Sequence, residues 1–282
     1  MPIPWRLDPP PFGDSARVSS WLEKQLSLCD DESFAQGFAA SCPVSGLNPE
    51  AYSHQVLDVE GEKLLVGIRF KGGDVARPFV DLIAWTGEPQ PRWVVAIQEA
   101  FAQFAPEAVR FRWSKGSAPP WTGEVDQYLF AGLAAGTSHA SVSPARDLSW
   151  FDEFSQAFDK WRTTSLLGPE VWPSNLDDLK KCLKHGHIVV ATEGDKFLGL
   201  AACLWQTERA FEGWMIMEEF VVTEAQGRGL GTALQQGLMQ RLPQGDLVWG
   251  TIHGDNVASQ KTAARCGRRP VETWWFIPRG VP

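Results

Sequence analysis

At 282 residues and 44% apolar, the chain can supply two hydrophobic cores, and its net charge of −8 with no basic stripe argues against nucleic-acid binding as a main role. No apolar run approaches the roughly 20 residues of a membrane span, and the opening MPIPWRLDPPPFGDS lacks the positive-then-apolar order of a secretion signal. Five cysteines, at 29, 42, 182, 203 and 266, are odd in number, scattered and never spaced C-x-x-C. They point to a reducing cytoplasm with neither a disulfide framework nor a metal site.

Taken in order, hydrophobic periodicity predicts a helix near 14–28, strands near 55–60, 63–71 and 78–85, a helix at 92–104 and a strand at 108–113. Two Gly/Pro/Ser-rich stretches, 114–123 and 134–145, bracket an expected domain boundary, set at 137/138. The second half continues with helices near 148–161 and 174–185 and strands at 187–192, 197–206 and 214–222. Then come a helix at 230–242, a strand at 246–251, a helix at 256–266 and a strand at 271–277. The mixture of strands and helices is α/β, with a mixed sheet of α+β type expected in each half.

The halves also resemble each other. HQVLDVEGEKLL (54–65) and HIVVATEGDKFL (187–198) share His, Val, Glu, Gly, Lys and Leu at a displacement of 133. TGEPQPRWVVAIQEAFAQFAP (86–106) and TEAQGRGLGTALQQGLMQRLP (223–243) share Thr, Ala, two Gln and Pro at a displacement of 137. A four-residue change between the blocks is what a hairpin loop absorbs, so the expectation is two copies of one fold.

Between the strand at 214–222 and the helix at 230–242 lies Gln226-Gly227-Arg228-Gly229-Leu230-Gly231. A glycine-rich strand-to-helix turn exposes unpaired backbone N–H groups at the positive end of a helix dipole, which suits a pyrophosphate. Gly229 and Gly231 carry no Cβ to obstruct the approach. The dinucleotide fingerprint fails at Thr232, and no Lys completes a nucleotide P-loop. In the first half the corresponding residues are Pro89-Gln90-Pro91-Arg92-Trp93-Val94, where prolines remove donors and bulk replaces glycine.

The pattern Q/R-x-x-G-x-G/A, with Gln226, Gly229 and Gly231 in the key places, resembles the acyl-CoA pyrophosphate loop of the GNAT N-acetyltransferase superfamily. Downstream, Asn256, Ser259 and Gly267 fall on the family's N-x-x-[AS]-x-x-x-Y-x-x-x-G-F, whereas its Tyr and Phe fall on Ala263 and Arg268. The resemblance covers roughly 187–277. It implies two such domains in tandem, each a mostly antiparallel twisted sheet flanked by helices. Residues 1–137 would form a degenerate copy without the loop, and 138–282 a catalytic copy.

The implied function is transfer of an acetyl group from acetyl-CoA to a primary amine in a ternary complex. The alternative is a non-catalytic CoA-binding sensor or interaction protein. Acetyl-CoA and an unidentified amine are the expected partners, with no nucleic acid, membrane or metal and with a monomer or weak dimer. Cofactor contacts are expected from Gln226, Gly227, Arg228, Gly229, Leu230, Gly231, Thr232, Asn256 and Ser259. Backbone N–H groups around Val221 and Val222 would serve as oxyanion donors. For the general base, Glu219 is favoured narrowly over Glu218; alternate strand residues face opposite ways, so only one of the two can point at the substrate unless a bulge intervenes. His253 is a third candidate, and Ser259 stands in for the missing Tyr. Trp205, Trp214, Trp249, Trp274 and Trp275 are candidates to wall an acceptor pocket.

Overall fold

The computed structural model describes residues 5, 15–114, 121–208 and 211–280. The opening stretch 1–14, apart from Trp5, and most of the 114–123 segment lie outside these residues. The chain divides into two compact units. One comprises Met1–Gln127, Arg209–Phe211 and Glu272–Pro282; the other comprises Tyr128–Glu208 and Glu212–Val271.

In the first unit, helices α1 (Ser15–Ser27) and α2 (Glu32–Ser41) precede strands β1 (Gln55–Val59), β2 (Glu62–Phe70) and β3 (Pro78–Trp85). Helix α3 (Pro91–Ala100) and strand β4 (Ala108–Ser114) follow. Strand β1 pairs antiparallel with β2, β2 antiparallel with β3, and β3 parallel with β4. The last strand of the chain, β11 (Arg269–Pro278), returns to this unit and pairs antiparallel with β4 from Glu272↔Ser114 to Pro278↔Ala108. One sheet face buries Leu64, Val66, Ile68, Val80, Leu82, Val109 and Phe111 against Trp93, Ile97 and Phe101. Helix α2 escaped the periodicity reading because it is short and Ala-rich and Ala35 is its one fully buried residue; Asp31 caps it by accepting from the Phe34 N–H.

In the second unit the hydrogen-bonded strand order is β5-β10-β9-β8-β7-β6. These are β5 (Glu124–Leu133), β6 (Ser143–Pro144), β7 (Ile188–Glu193), β8 (Lys196–Glu208), β9 (Phe211–Val221) and β10 (Leu247–His253). The helices are α4 (Phe151–Thr164), α5 (Leu176–Lys184), α6 (Leu230–Met239) and α7 (Val257–Arg265). Strands β6, β7 and β8 pair antiparallel, whereas β10 lies parallel to β9. Leu230, Leu234 and Leu238 of α6, one turn apart, are buried in the core of this unit with Leu200, Ala202 and Phe220. Both units therefore run hairpin, helix, parallel strand in the same order, and each sheet is mostly antiparallel and flanked by helices. Strand β5 was not foreseen: Asp126 and Gln127 break its apolar alternation between two loop-like stretches.

Candidate functional site

A cavity of about 620 Å³ opens in the second unit. It lies where β9 and β10 carry few shared ladder pairs. Their described register covers Val248↔Trp214 and Trp249↔Met215, yet β9 runs on to Val221 and β10 to His253.

One end of the cavity is built from the turn after β9. Gln226 reaches back to donate from Nε2 to the Val221 carbonyl at 3.2 Å. Gly229 adopts φ +80°, ψ 2° as the residue before α6, a left-handed conformation that L side chains rarely hold. No atom lies within 4 Å of where its Cβ would stand, so backbone conformation, not crowding, calls for glycine there. The first helical hydrogen bond runs from the Ala233 N–H to the Gly229 carbonyl at 3.1 Å. The N–H groups of Leu230, Gly231 and Thr232 thus precede the ladder, and all three residues line the cavity with Gln226, Gly227 and Gly229. Lys261 and Arg265 of α7 line it as well. Orphan donors, a helix dipole and two cations make this end a cradle for a diphosphate, so the residues present fit coenzyme A. Arg228 is not in the lining; its guanidinium pairs with Glu193 at 3.2 Å.

Glu218 and Glu219 both line the cavity, with different partners. Glu218 is buried, and its two oxygens accept from the Ser174 N–H at 2.8 Å and the Glu219 N–H at 3.1 Å. Burial pushes its carboxyl up to about 7, against the opposing pull of those N–H donors and with a small push from the neighbouring Glu219 charge. Glu219 accepts a hydrogen bond from the Gln235 amide, whose carbonyl accepts from the buried Arg268 Nε at 3.1 Å. Burial raises the Glu219 carboxyl too, while Arg268 and Gln235 pull it back. Strand alternation lets only one of the two adjacent glutamates face a substrate, and the sequence reading narrowly favours Glu219. Gln235 and Arg268, distant in the chain, tie Glu219 into an internal network, whereas Glu218 meets backbone N–H groups.

Asn256 and Ser259 line the cavity, but Asn256 spends its side chain locally, accepting the Ser259 N–H at 3.1 Å as the cap of α7. Ala263, where the family pattern has Tyr, is fully buried with Phe130 and Ile252 and is not in the lining. His253 also lies outside the lining; its Nδ1 accepts from the Asp255 N–H at 3.2 Å. Of the two oxyanion candidates, Val221 lines the cavity, whereas Val222 is buried and its N–H donates to the Leu198 carbonyl at 3.0 Å. None of the five tryptophans singled out from sequence reaches the cavity. Trp249 is core, Trp205 packs on Trp214, Trp274 sits over Arg110 and Arg112, and Trp275 packs in the first unit.

Sequence reasoning missed the remaining wall: Phe158 and Trp161 of α4, then Ser165, Leu167 and Val171 of the segment after it. The signal was an aromatic stripe, Phe154, Phe158 and Trp161, at helical spacing, which reads first as core packing. Among the described residues, no group of three His, Cys, Asp or Glu could hold a metal ion, and no helix is long and apolar enough to cross a membrane. All five thiols are free.

Residues 149–267 match the profile of the acetyltransferase (GNAT) family. No curated protein matches the chain. Among solved structures, a GCN5-related N-acetyltransferase from Sphaerobacter thermophilus superposes with a TM-score of 0.52 at 17% identity, over 84% of each chain. A functionally unknown conserved protein from Staphylococcus epidermidis gives 0.50 at 9% identity, over 82% of this chain and 96% of that one. A tandem GNAT protein from the clavulanic acid biosynthesis pathway spans 99% of both chains at 13% identity, with a TM-score of 0.45. At such identities the first two establish a shared fold.

Proposed function

From the premise that residues 149–267 form a GNAT acetyltransferase domain, we propose that the protein transfers an acetyl group from acetyl-CoA to a primary amine. The observation that carries this reading is the meeting, in one cavity, of the orphan N–H groups of α6 with a buried carboxyl raised to about 7. Acetyl-CoA supplies the acyl thioester. Leu230, Gly231 and Thr232 hold the diphosphate through backbone N–H groups, with Lys261 and Arg265 beside them. Glu218 takes the proton that the ammonium must lose before its nitrogen can attack, a task suited to a carboxyl titrating near neutrality. Val221 offers its backbone N–H to the carbonyl oxygen on which negative charge develops. Ser259 hydrogen-bonds the departing sulfur in the place of the absent Tyr. As the C–N bond forms and the C–S bond breaks, the second proton lost by the nitrogen passes to the departing thiolate, which leaves as free CoA thiol, and Glu218 returns the ammonium proton to solvent.

The experiment is a panel of amines offered with acetyl-CoA to the purified protein, with released thiol measured. Amine-dependent release supports the reading. CoA binding without release under any amine would favour the sensor alternative. Ser259→Ala with unchanged turnover would remove Ser259 from the scheme.

A further inference from the structure

The walls of the cavity differ in character from one end to the other. The donors, Lys261 and Arg265 gather at α6 and α7, while the segment 165–175 closes the end at Glu218. That segment is stapled in place. The Ser174 N–H donates to Glu218 at 2.8 Å, and the Ser174 hydroxyl donates to the Met217 carbonyl at 2.9 Å. On its other side, Arg162 Nε donates to the Gly168 carbonyl at 3.1 Å, and the Arg162 guanidinium lies 4.1 Å from the centre of the Trp172 ring. Gly168 packs so tightly on the Arg162 backbone that a Cβ would not fit. The segment is therefore a preformed wall beside Glu218.

What it presents is apolar. Leu167 and Val171 of the segment, Phe158 and Trp161 of α4 and Phe220 of β9 all line the cavity. Leu166, 99% exposed, and Trp172, 45% exposed, continue apolar surface outward along the same segment. Among the described residues the lining carboxyls are Glu218 and Glu219, with Glu219 already committed to Gln235, and Glu170 of the same segment is outside the lining. A second cationic centre on an acceptor would find no carboxylate in the lining to receive it, so desolvating it would oppose binding.

We propose that the acceptor is a primary amine carried on a single apolar, ring-sized body, seated against the wall that α4 and the 165–175 segment form together, with its nitrogen at Glu218. This rests on the acetyl-transfer reading and narrows it by excluding polyamines and other polycationic acceptors. Burying a ring-sized apolar group against such a wall discriminates by about 100-fold.

The test compares tryptamine and 2-phenylethylamine with spermidine, by thiol release and by calorimetric titration into the CoA-loaded protein. Expected are a kcat/KM about 100-fold higher for the aromatic amines and measurable tryptamine binding without turnover. In Trp161→Ala the KM for tryptamine rises about tenfold or more while CoA affinity holds. Should that variant fail to fold, Leu167→Asp, which places a carboxylate on the same wall, is expected to move the preference toward spermidine. CoA binding with thiol release from spermidine equal to or above that from tryptamine overturns this inference and leaves the acetyl-transfer reading intact. Absence of CoA binding overturns both.

Discussion

Glu218 offers a prediction whose size follows from its surroundings. In the unfolded chain its carboxyl titrates near 4.5; in the folded protein burial holds it up to about 7. Between those values the folded state keeps a proton that the unfolded state has lost, so stability falls as pH rises through that window. At about 1.4 kcal/mol per pH unit, this group alone removes about 3 kcal/mol between pH 4 and pH 8. Glu218→Gln abolishes the titration. It also weakens one of the contacts to the Ser174 and Glu219 N–H groups, a cost that does not vary with pH. Urea unfolding of both proteins from pH 4 to pH 8 isolates the effect: the stability of the native protein minus that of the variant should decline by about 3 kcal/mol across the range. The same variant should lose about 100-fold or more in kcat/KM, and the native enzyme's kcat/KM should rise with pH to a plateau above about 7. A stability difference that stays flat with pH would show that Glu218 is ionised throughout, and the proton-exchange argument for it would fall.

Two further outcomes are expected. Asp81 in the first unit is buried, with Arg110 donating to both its oxygens at 2.9 and 3.0 Å and Arg112 at 3.1 Å. Burial alone would raise its carboxyl, but the two guanidinium groups outweigh it and hold it well below the usual range. Asp81→Asn should destabilise by about 3–5 kcal/mol at pH 7, leaving buried charge uncompensated, and the penalty should shrink as acid protonates the native carboxylate; equal melting temperatures at neutral pH would refute this. Asn256→Ala should cost about 1 kcal/mol by uncapping α7, and Asn256→Asp should retain most of it, both read by thermal melts; an Ala variant as stable as the native protein would show that the cap contributes nothing.

The sequence carries the glycine-rich end of the cavity plainly, because glycines at 227, 229 and 231 stand between a β-branched strand and a helix with leucines every four residues. Those are local features, and local rules of backbone conformation decode them. The chemistry at the other end depends on pairs far apart in the chain. Ser174 meets Glu218 across 44 residues, and Arg268 meets Gln235 across 33. No spacing rule predicts either contact, so the different partners of the two adjacent glutamates were not legible in the sequence. The apolar wall of the cavity was hidden differently: Phe158 and Trp161 obey helical periodicity and read as core, and Phe158 is indeed core on one side. The final strand illustrates a third limit. Its apolar pattern announces a strand, but its pairing with β4 is a matter of topology that composition does not encode.

The central claim is that unpaired backbone donors at the start of α6 bind the diphosphate of coenzyme A. Calorimetric titration of CoA into Gly229→Val and Gly245→Val tests it directly. Both glycines hold positive φ, +80° and +86°, with open space around them, so both substitutions carry the same kind of backbone strain, about 1–2 kcal/mol. Gly245 lies outside the cavity lining. The account predicts that Gly229→Val loses at least about 100-fold in affinity, the equivalent of two charge-assisted hydrogen bonds, while Gly245→Val binds as the native protein does. Equal affinities in the two variants would contradict it.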